Sequence, residues 1–355
     1  MNEKAVWRRE RINYYTGGLR CYRALTVEVP GRSEAFLVTR DTTPDHFQAW
    51  FRDTKQPGWE SVDPEILHRA RYVGYVQPIV EMIHADKTLE DKAFVVVPKD
   101  NLVDRPFPML AKTRLADSRG VTVLLQLKKM RHWGEGFEEA LGDMPFDKKE
   151  TRLVFRGATT GKWPKPDVRH PVTGVRYRFA KQLPTLVEDK RIDAGFTLFE
   201  PHVAKQDRDE LAACGAVCDR ISVAEQLQCK YLLSLEGHDV ASGLKWMLAS
   251  NSVVLTTRPR YVSWLMEDTL VPYKHYVPIK DDLSDISQQL DWCEANPDRC
   301  REIAAASTEY MQRFLDPEFE QDISCAVLRT YGQRVKLVAK EEVYPGFEAA
   351  NLSLE

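Results

Sequence analysis

Long uncharged runs are missing from this sequence: nothing approaches the roughly 20 apolar residues that a membrane-spanning helix needs. The opening residues, MNEKAVWRRERINYY, also lack the apolar core of a secretory signal, so a cytoplasmic location is expected. A strong charge of one sign is absent too. The formal net charge of −3 gives no whole-protein reason to expect a nucleic-acid partner. There is no even set of cysteines at regular spacing. The seven are Cys21, Cys214, Cys218, Cys229, Cys293, Cys300 and Cys325, and they read as free thiols of a reducing compartment. Cys214 and Cys218 lie close enough to share a metal, but no second Cys/His pair with zinc-like spacing accompanies them. No metal site is expected. No internal repeat or low-complexity tract is visible.

What remains is an ordinary globular composition, 43% hydrophobic and 29% charged, in a chain of 355 residues. That length exceeds one core and suggests two domains of roughly 150 residues each. Short continuous apolar runs at 93–97, 121–127 and 153–155 read as buried parallel strands. Between them, 63–86 reads as a helix with Asp63 as N-cap and Pro64 at its first position. The second half repeats this texture. Helices are expected at 222–233, 244–249, 284–295 (with Asp282 or Ser284 near its start) and 297–314, and strands at 231–235 and 252–256. Strands alternating with helices give an α/β fold. The charged, Pro-containing stretch 143–151 is the expected boundary, making domains of 1–150 and 151–315. The final 316–355 segment is expected to pack back on the first domain, with 341–355 loosely held.

Residues 1–25 mix Trp7, Tyr14, Tyr15 and Tyr22 with Arg8, Arg9, Arg11, Arg20 and Arg23. Two readings fit: a surface for anionic lipid or glycan, giving peripheral contact with a membrane, or a first helix packing its aromatics inward.

Two constellations suit chemistry. The first is Phe155-Arg156-Gly157-Ala158-Thr159-Thr160-Gly161-Lys162, a strand running into a small-residue turn with two cations. Such a turn lets backbone N–H groups approach a phosphate; it also serves as a plain strand-to-helix turn. It is not a Walker loop, because Trp163 follows Lys162. The second is SLEGHDVASGLKW, residues 234–246: a strand, a polar loop and a helix start carrying Ser242 and Lys245. Ligands of open α/β sheets sit beyond the carboxyl ends of strands, where a helix N-terminus offers N–H groups to a diphosphate. Glu236 suits ribose hydroxyls and Lys245 a phosphate. The same residues also read as a helix capped by Asp239 or Ser242.

This loop, with Gln226–Tyr231, SNSVVL, Trp264–Glu267 and HYVPIKDDLSD, resembles the signature of glycosyltransferase family 90, best its bacterial lipopolysaccharide branch. The likeness extends to FRG at 155–157, FPMLAKTR at 107–114 and KKMRHW at 128–133. His238 stands where that branch usually has Asn. Gly243 stands where the protein-modifying branch often has Arg, which disfavours transfer to protein serine.

The resemblance implies a GT-B architecture: two Rossmann-like domains with the active site in the cleft between them. It implies an inverting, metal-independent transfer of a hexose or xylose from a UDP-sugar, with no cofactor, to a glycan or lipid-linked glycan such as lipopolysaccharide core. The place implied is the cytoplasmic face of the inner membrane. Donor-side residues implied are Arg156, Gly157, Arg178, Glu236, Gly237, Asp239, Val240, Ala241, Ser242 and Lys245, with Arg176 beside Arg178 in VRYRF. Asp100 fits the position of the base; Asp104, Asp117 and His132 are its rivals. Lys112, Arg114, Arg131 and His132 are acceptor-side candidates. A transferase fold reduced to glycan binding or scaffolding is the alternative from another class.

Overall fold

The computed structural model describes residues 2–21, 25–28, 36–43, 73–97, 100, 107–118, 120–127, 133–164, 173–201 and 203–338. The fold is mixed α/β, organised as two compact units: 1–112 with 118–128 and 321–355, and 113–117 with 129–320. The chain thus visits the second unit at 113–117 and enters it for good after Lys128, upstream of the 143–151 stretch.

In the first unit, β2 (Phe36–Val38), β3 (Phe94–Val97), β4 (Met109–Ala111) and β6 (Thr122–Leu124) form a sheet in that order. β2 is antiparallel to β3; the other pairs are parallel. All four residues of β3 are buried, as the apolar run FVVV requires. β1 (Leu25–Glu28) pairs in parallel with β13 (Val335–Val338). Helix α2 (Val73–Ala85) buries Val76, Ile79, Met82 and Ile83; the expected cap at Asp63 and Pro64 lies outside the described residues, as does 341–355. The chain returns to this unit at Gln321, within α10 (Pro317–Arg334), where the Tyr331 hydroxyl donates to Pro108 O at 3.1 Å. Helix α1 (Glu3–Tyr15) turns Arg11 and Tyr15 inward. Arg11 donates to the Tyr15 hydroxyl (2.6 Å from Nη2) and lies over the rings of Trp7 and Tyr15, while Arg8 pairs with Asp322. No described helix is long and apolar enough to cross a membrane.

The second unit is built on β7 (Glu150–Ala158), β8 (Ile192–Leu198), β9 (Cys229–Ser234), β10 (Val253–Thr256) and β12 (Val277–Pro278). All are parallel, in the order β12-β10-β9-β7-β8. One face carries Leu153, Phe155, Phe196, Tyr231, Leu233 and Leu255. It packs on α4 (Val175–Leu186), α8 (Ile286–Ala295) and α9 (Pro297–Gln312). Val154, Leu232 and Val254, which alternate with these, are equally buried, so both faces are covered. The remaining helices are short: α3 (Phe137–Leu141), α5 (Lys205–Ala213), α6 (Val223–Gln226) and α7 (Leu244–Leu248).

Three expectations change here. The helix of 222–233 is one turn, opened by a Ser222/Glu225 capping box, because CKYLLS is drawn into the sheet between β7 and β10. FRGA belongs to β7, so the turn begins at Thr159. Helix α8 starts after Asp285, whose Oδ1 accepts from Lys280 N, while Asp282 binds Ser284 just upstream.

The 143–151 stretch is no solvated linker. Asp143 and Lys149 side chains are 2% and 0% exposed and pair at 2.7 Å. Asp143 also accepts from Asn251 N at 2.8 Å, and Lys149 donates to Leu227 O. Burial lowers the Lys149 pKa against the pull of Asp143. The network ties the approach to β7 to the segments preceding β9 and β10.

Candidate functional site

In the second unit the chain runs from β7 outward to β8, then crosses to β9, β10 and β12. The direction reverses between β7 and β9, and such a switch point opens a crevice beyond the strands' carboxyl ends. The two loops that leave there are Thr159–Gly161 and Leu235–Asp239, the two constellations legible in the sequence.

Arg176, in the first turn of α4, spans them. Nη1 donates to Ala158 O (2.6 Å) and Thr160 Oγ1 (2.9 Å) on one side. Nη2 and Nε donate to Leu235 O (2.9 and 3.3 Å) on the other, and Nε also to Glu236 O at 3.2 Å. Four of five N–H donors are thereby used and one is left. The side chain keeps some exposure, yet burial lowers its pKa to about 10, so it stays charged at neutral pH. No described carboxylate pairs with it. Gly157 at the end of β7 and Gly237 in the second loop leave room for this clamp. A Cβ on Gly157 would come within 3.3 Å of Nη1 and 2.9 Å of the Phe155 ring. One on Gly237 would collide with Thr160 Oγ1 and stand 3.5 Å from Arg176 Cζ. Gly161 N donates to His238 Nδ1 at 3.2 Å. An asparagine oxygen could accept the same bond.

Glu236 Oε1 accepts from the backbone N of Arg260 (2.8 Å) and Tyr261 (3.1 Å). Burial raises its pKa to about 7, opposed by those two N–H groups. It thus fixes the start of β11 (Tyr261–Val262), which pairs antiparallel with β5 (Arg114–Leu115). Asp239 is buried, and its Oδ2 accepts from Thr113 Oγ1 at 2.9 Å. Lys162, Arg258 and Arg260 are exposed on loops beyond β7 and β10, none ion-paired with a described residue. They add positive charge at this end of the sheet.

The other expected donor residues are placed differently. Arg156 pairs with Asp193 at 2.7 Å on β8, the strand on the far side of β7 from β9. Arg178 donates to Asp281 O and Thr173 O, both at 2.9 Å. Val240, Ala241 and Ser242 are partly exposed loop residues. Helix α7 opens only at Leu244, after an uncapped Gly243, because the Gly237 N–Asp239 O turn takes up the preceding chain. Lys245 is therefore inside a five-residue helix, buried, with Nζ donating to Ser242 O at 3.1 Å.

Deeper in this unit, Glu267 is 3% exposed and accepts from Ser263 N and Oγ, both at 2.6 Å. Burial raises its pKa from 4.5 to about 7, against those two bonds. A folded value above the unfolded one means the native state holds its proton longer. Its contribution is complete below pH 4.5 and is lost as pH rises through 7. Denaturant titrations across this window should show stability falling by about 3 kcal/mol from this group. The slope should be shallower in Glu267→Gln; an identical slope would contradict the assignment.

In the first unit, Asp100 follows β3 and Lys112 follows β4, its parallel neighbour. The two meet: Lys112 Nζ donates to Asp100 Oδ1 at 2.5 Å, from a side chain 6% exposed. Arg114 lies in β5 of the second unit, and Asp117 is exposed just beyond. Asp104, Arg131 and His132 lie outside the described residues. Thr113 and the clamping role of Arg176 are what sequence reasoning missed.

The description Glycosyl transferase family 90 matches residues 131–348. The O-glucosyltransferase LpsA of Dichelobacter nodosus is 32% identical over 225 residues, 63% of this chain and 62% of that protein. Human protein O-glucosyltransferase 1 is 25% identical over 191 residues, 54% of this chain and 43% of that protein. The chain thus spans less than two thirds of either relative. Among solved structures, sucrose-phosphate synthase from Thermosynechococcus elongatus gives a TM-score of 0.33 at 11% identity, over 57% of this chain and 50% of that one.

Proposed function

The chain belongs to glycosyl transferase family 90, and from that premise we propose that it is an inverting GT-B transferase. It moves a hexose or xylose from a UDP-sugar to a hydroxyl of a glycan acceptor, lipopolysaccharide core being the acceptor class that the resemblance of its sequence motifs implies. The observation that carries this reading is Arg176: a cation that no described carboxylate pairs, fixed at the switch point by both crevice loops.

Inversion needs a base on the acceptor side and charge stabilisation on the leaving side. The diphosphate occupies the crevice, where Arg176, the exposed Lys162, Arg258 and Arg260, and loop N–H groups offset its charge in place of a metal. Glu236, its Oε1 held by backbone, offers Oε2 to ribose hydroxyls. Asp100 takes the acceptor proton. Lys112 donates to its Oδ1. The acceptor oxygen then attacks the anomeric carbon opposite the departing UDP. The protein works at the cytoplasmic face of the membrane that carries its acceptor.

Purified protein should bind UDP and slowly hydrolyse at least one UDP-sugar. Asp100→Asn should reduce transfer by about 10²–10⁴-fold while UDP affinity stays put. Retained transfer would move the base to Asp104 or His132. Glycan binding without UDP-sugar binding or turnover would favour a scaffold instead.

A further inference from the structure

Gln126 of the first unit is 5% exposed, and its carboxamide Nε2, shielded from solvent, has no hydrogen-bond partner among the described residues. A buried N–H group left in this state costs stability that an apolar side chain of similar shape would not. Its position in the fold suggests what it is kept for. Strands β3, β4 and β6 run parallel and end level, with Val97 in register with Ala111 and Ala111 with Leu124. Leu125 N still donates to Ala111 O at 3.0 Å, and Leu127 N donates to Leu125 O at 2.9 Å, so the chain bends at Gln126 just past the sheet. At the neighbouring strand end Lys112 leaves β4 and holds Asp100, beyond β3, at 2.5 Å. All three residues belong to the same unit. Ligands of open parallel sheets sit beyond such strand ends.

We propose that Gln126 is a binding residue for the acceptor: its carboxamide hydrogen-bonds a hydroxyl of the glycan whose reacting hydroxyl Asp100 deprotonates. This rests on the transferase reading above, with Asp100 as the base. A carboxamide carries two N–H donors, an acceptor oxygen and no charge. It suits a neutral hydroxyl, which both donates and accepts. Its last torsion is soft and roughly two-fold, so the N–H group turns toward a ligand at little cost. The unpaired donor of the free protein is then satisfied only when the glycan is bound.

The test compares full-length wild type with Gln126→Met and Gln126→Leu. The acceptors are deacylated lipopolysaccharide core oligosaccharide and the octyl glycosides of glucose, galactose and xylose. Thermal unfolding without ligand, UDP affinity by calorimetry and transfer kinetics are measured for each protein. Tm should stay within about 2 °C of wild type or rise, because an unbonded carboxamide is being removed. The acceptor KM should rise about three- to tenfold, while UDP affinity and the slow hydrolysis of UDP-sugar stay as in wild type. A larger fall in Tm in both variants would make the carboxamide structural, and an unchanged acceptor KM would leave it to buried water. Either result would overturn the proposal and leave the transferase reading intact. A wild type that transfers to none of these acceptors would overturn the glycan-acceptor reading, and this role with it.

Discussion

Arg176→Met should weaken UDP binding about 10- to 150-fold, the worth of one hydrogen bond to a charged group. Transfer should fall at least as far, because leaving-group charge is greatest in the transition state. The variant should also lose stability. Ala158 O and Leu235 O, now bonded to the guanidinium, would each lack a donor, at about 1–3 kcal/mol apiece. Arg176→Lys separates the two roles. An ammonium keeps the charge but cannot reach both strand ends with a planar fork. It should recover more affinity than stability. If Arg176→Met folds and binds UDP as wild type does, the crevice between β7 and β9 is not the diphosphate site. Arg178→Met is the natural control. Its guanidinium donates through Nε and Nη1 to Asp281 O and Thr173 O and to neither crevice loop, and its loss should leave UDP affinity unchanged.

Lys149→Met should be the most destabilising surface-distant change, by about 3–5 kcal/mol, because it strands the Asp143 charge in the interior. For a unit of this size that corresponds to a fall in Tm of about 6–20 °C. Converting the partner as well, in Asp143→Leu/Lys149→Met, should recover part of the loss, since removing both charges removes the burial penalty. Asn251 N, which also binds Asp143, would remain unpaired and limit the recovery. A shift below about 2 °C in Lys149→Met would show the pair to be dispensable.

The parts of the fold legible in the sequence are those where one pattern dominates. FVVV, LVF and SVVL are apolar on both faces and form buried strands as expected. The two crevice loops were legible for a related reason: small residues and charges placed directly after a strand have few roles. What escaped depends on partners distant in sequence. Arg176 and Arg178 are two apart on a helix, about 200° around its axis, and composition does not say which one faces the crevice. The charges of 143–151 resemble a solvated linker until Asp143 and Lys149 are seen to pair with each other and with Asn251. Asp100 and Lys112 were each legible as candidates. Their ion pair depends on β3 and β4 being parallel neighbours, which no local pattern specifies. The expected helix does start at Leu244, but without Asp239 or Ser242 as its cap: Gly237 N bonds Asp239 O and Asp239 accepts from Thr113. Nothing marks Thr113 itself beyond its place between Lys112 and Arg114.

Calorimetric titration of the folded wild-type protein with UDP and a panel of UDP-sugars tests the account most directly. The wild type should bind UDP saturably and bind at least one UDP-sugar, with a marked loss of both in Arg176→Met. A folded protein that binds neither UDP nor any UDP-sugar would contradict it.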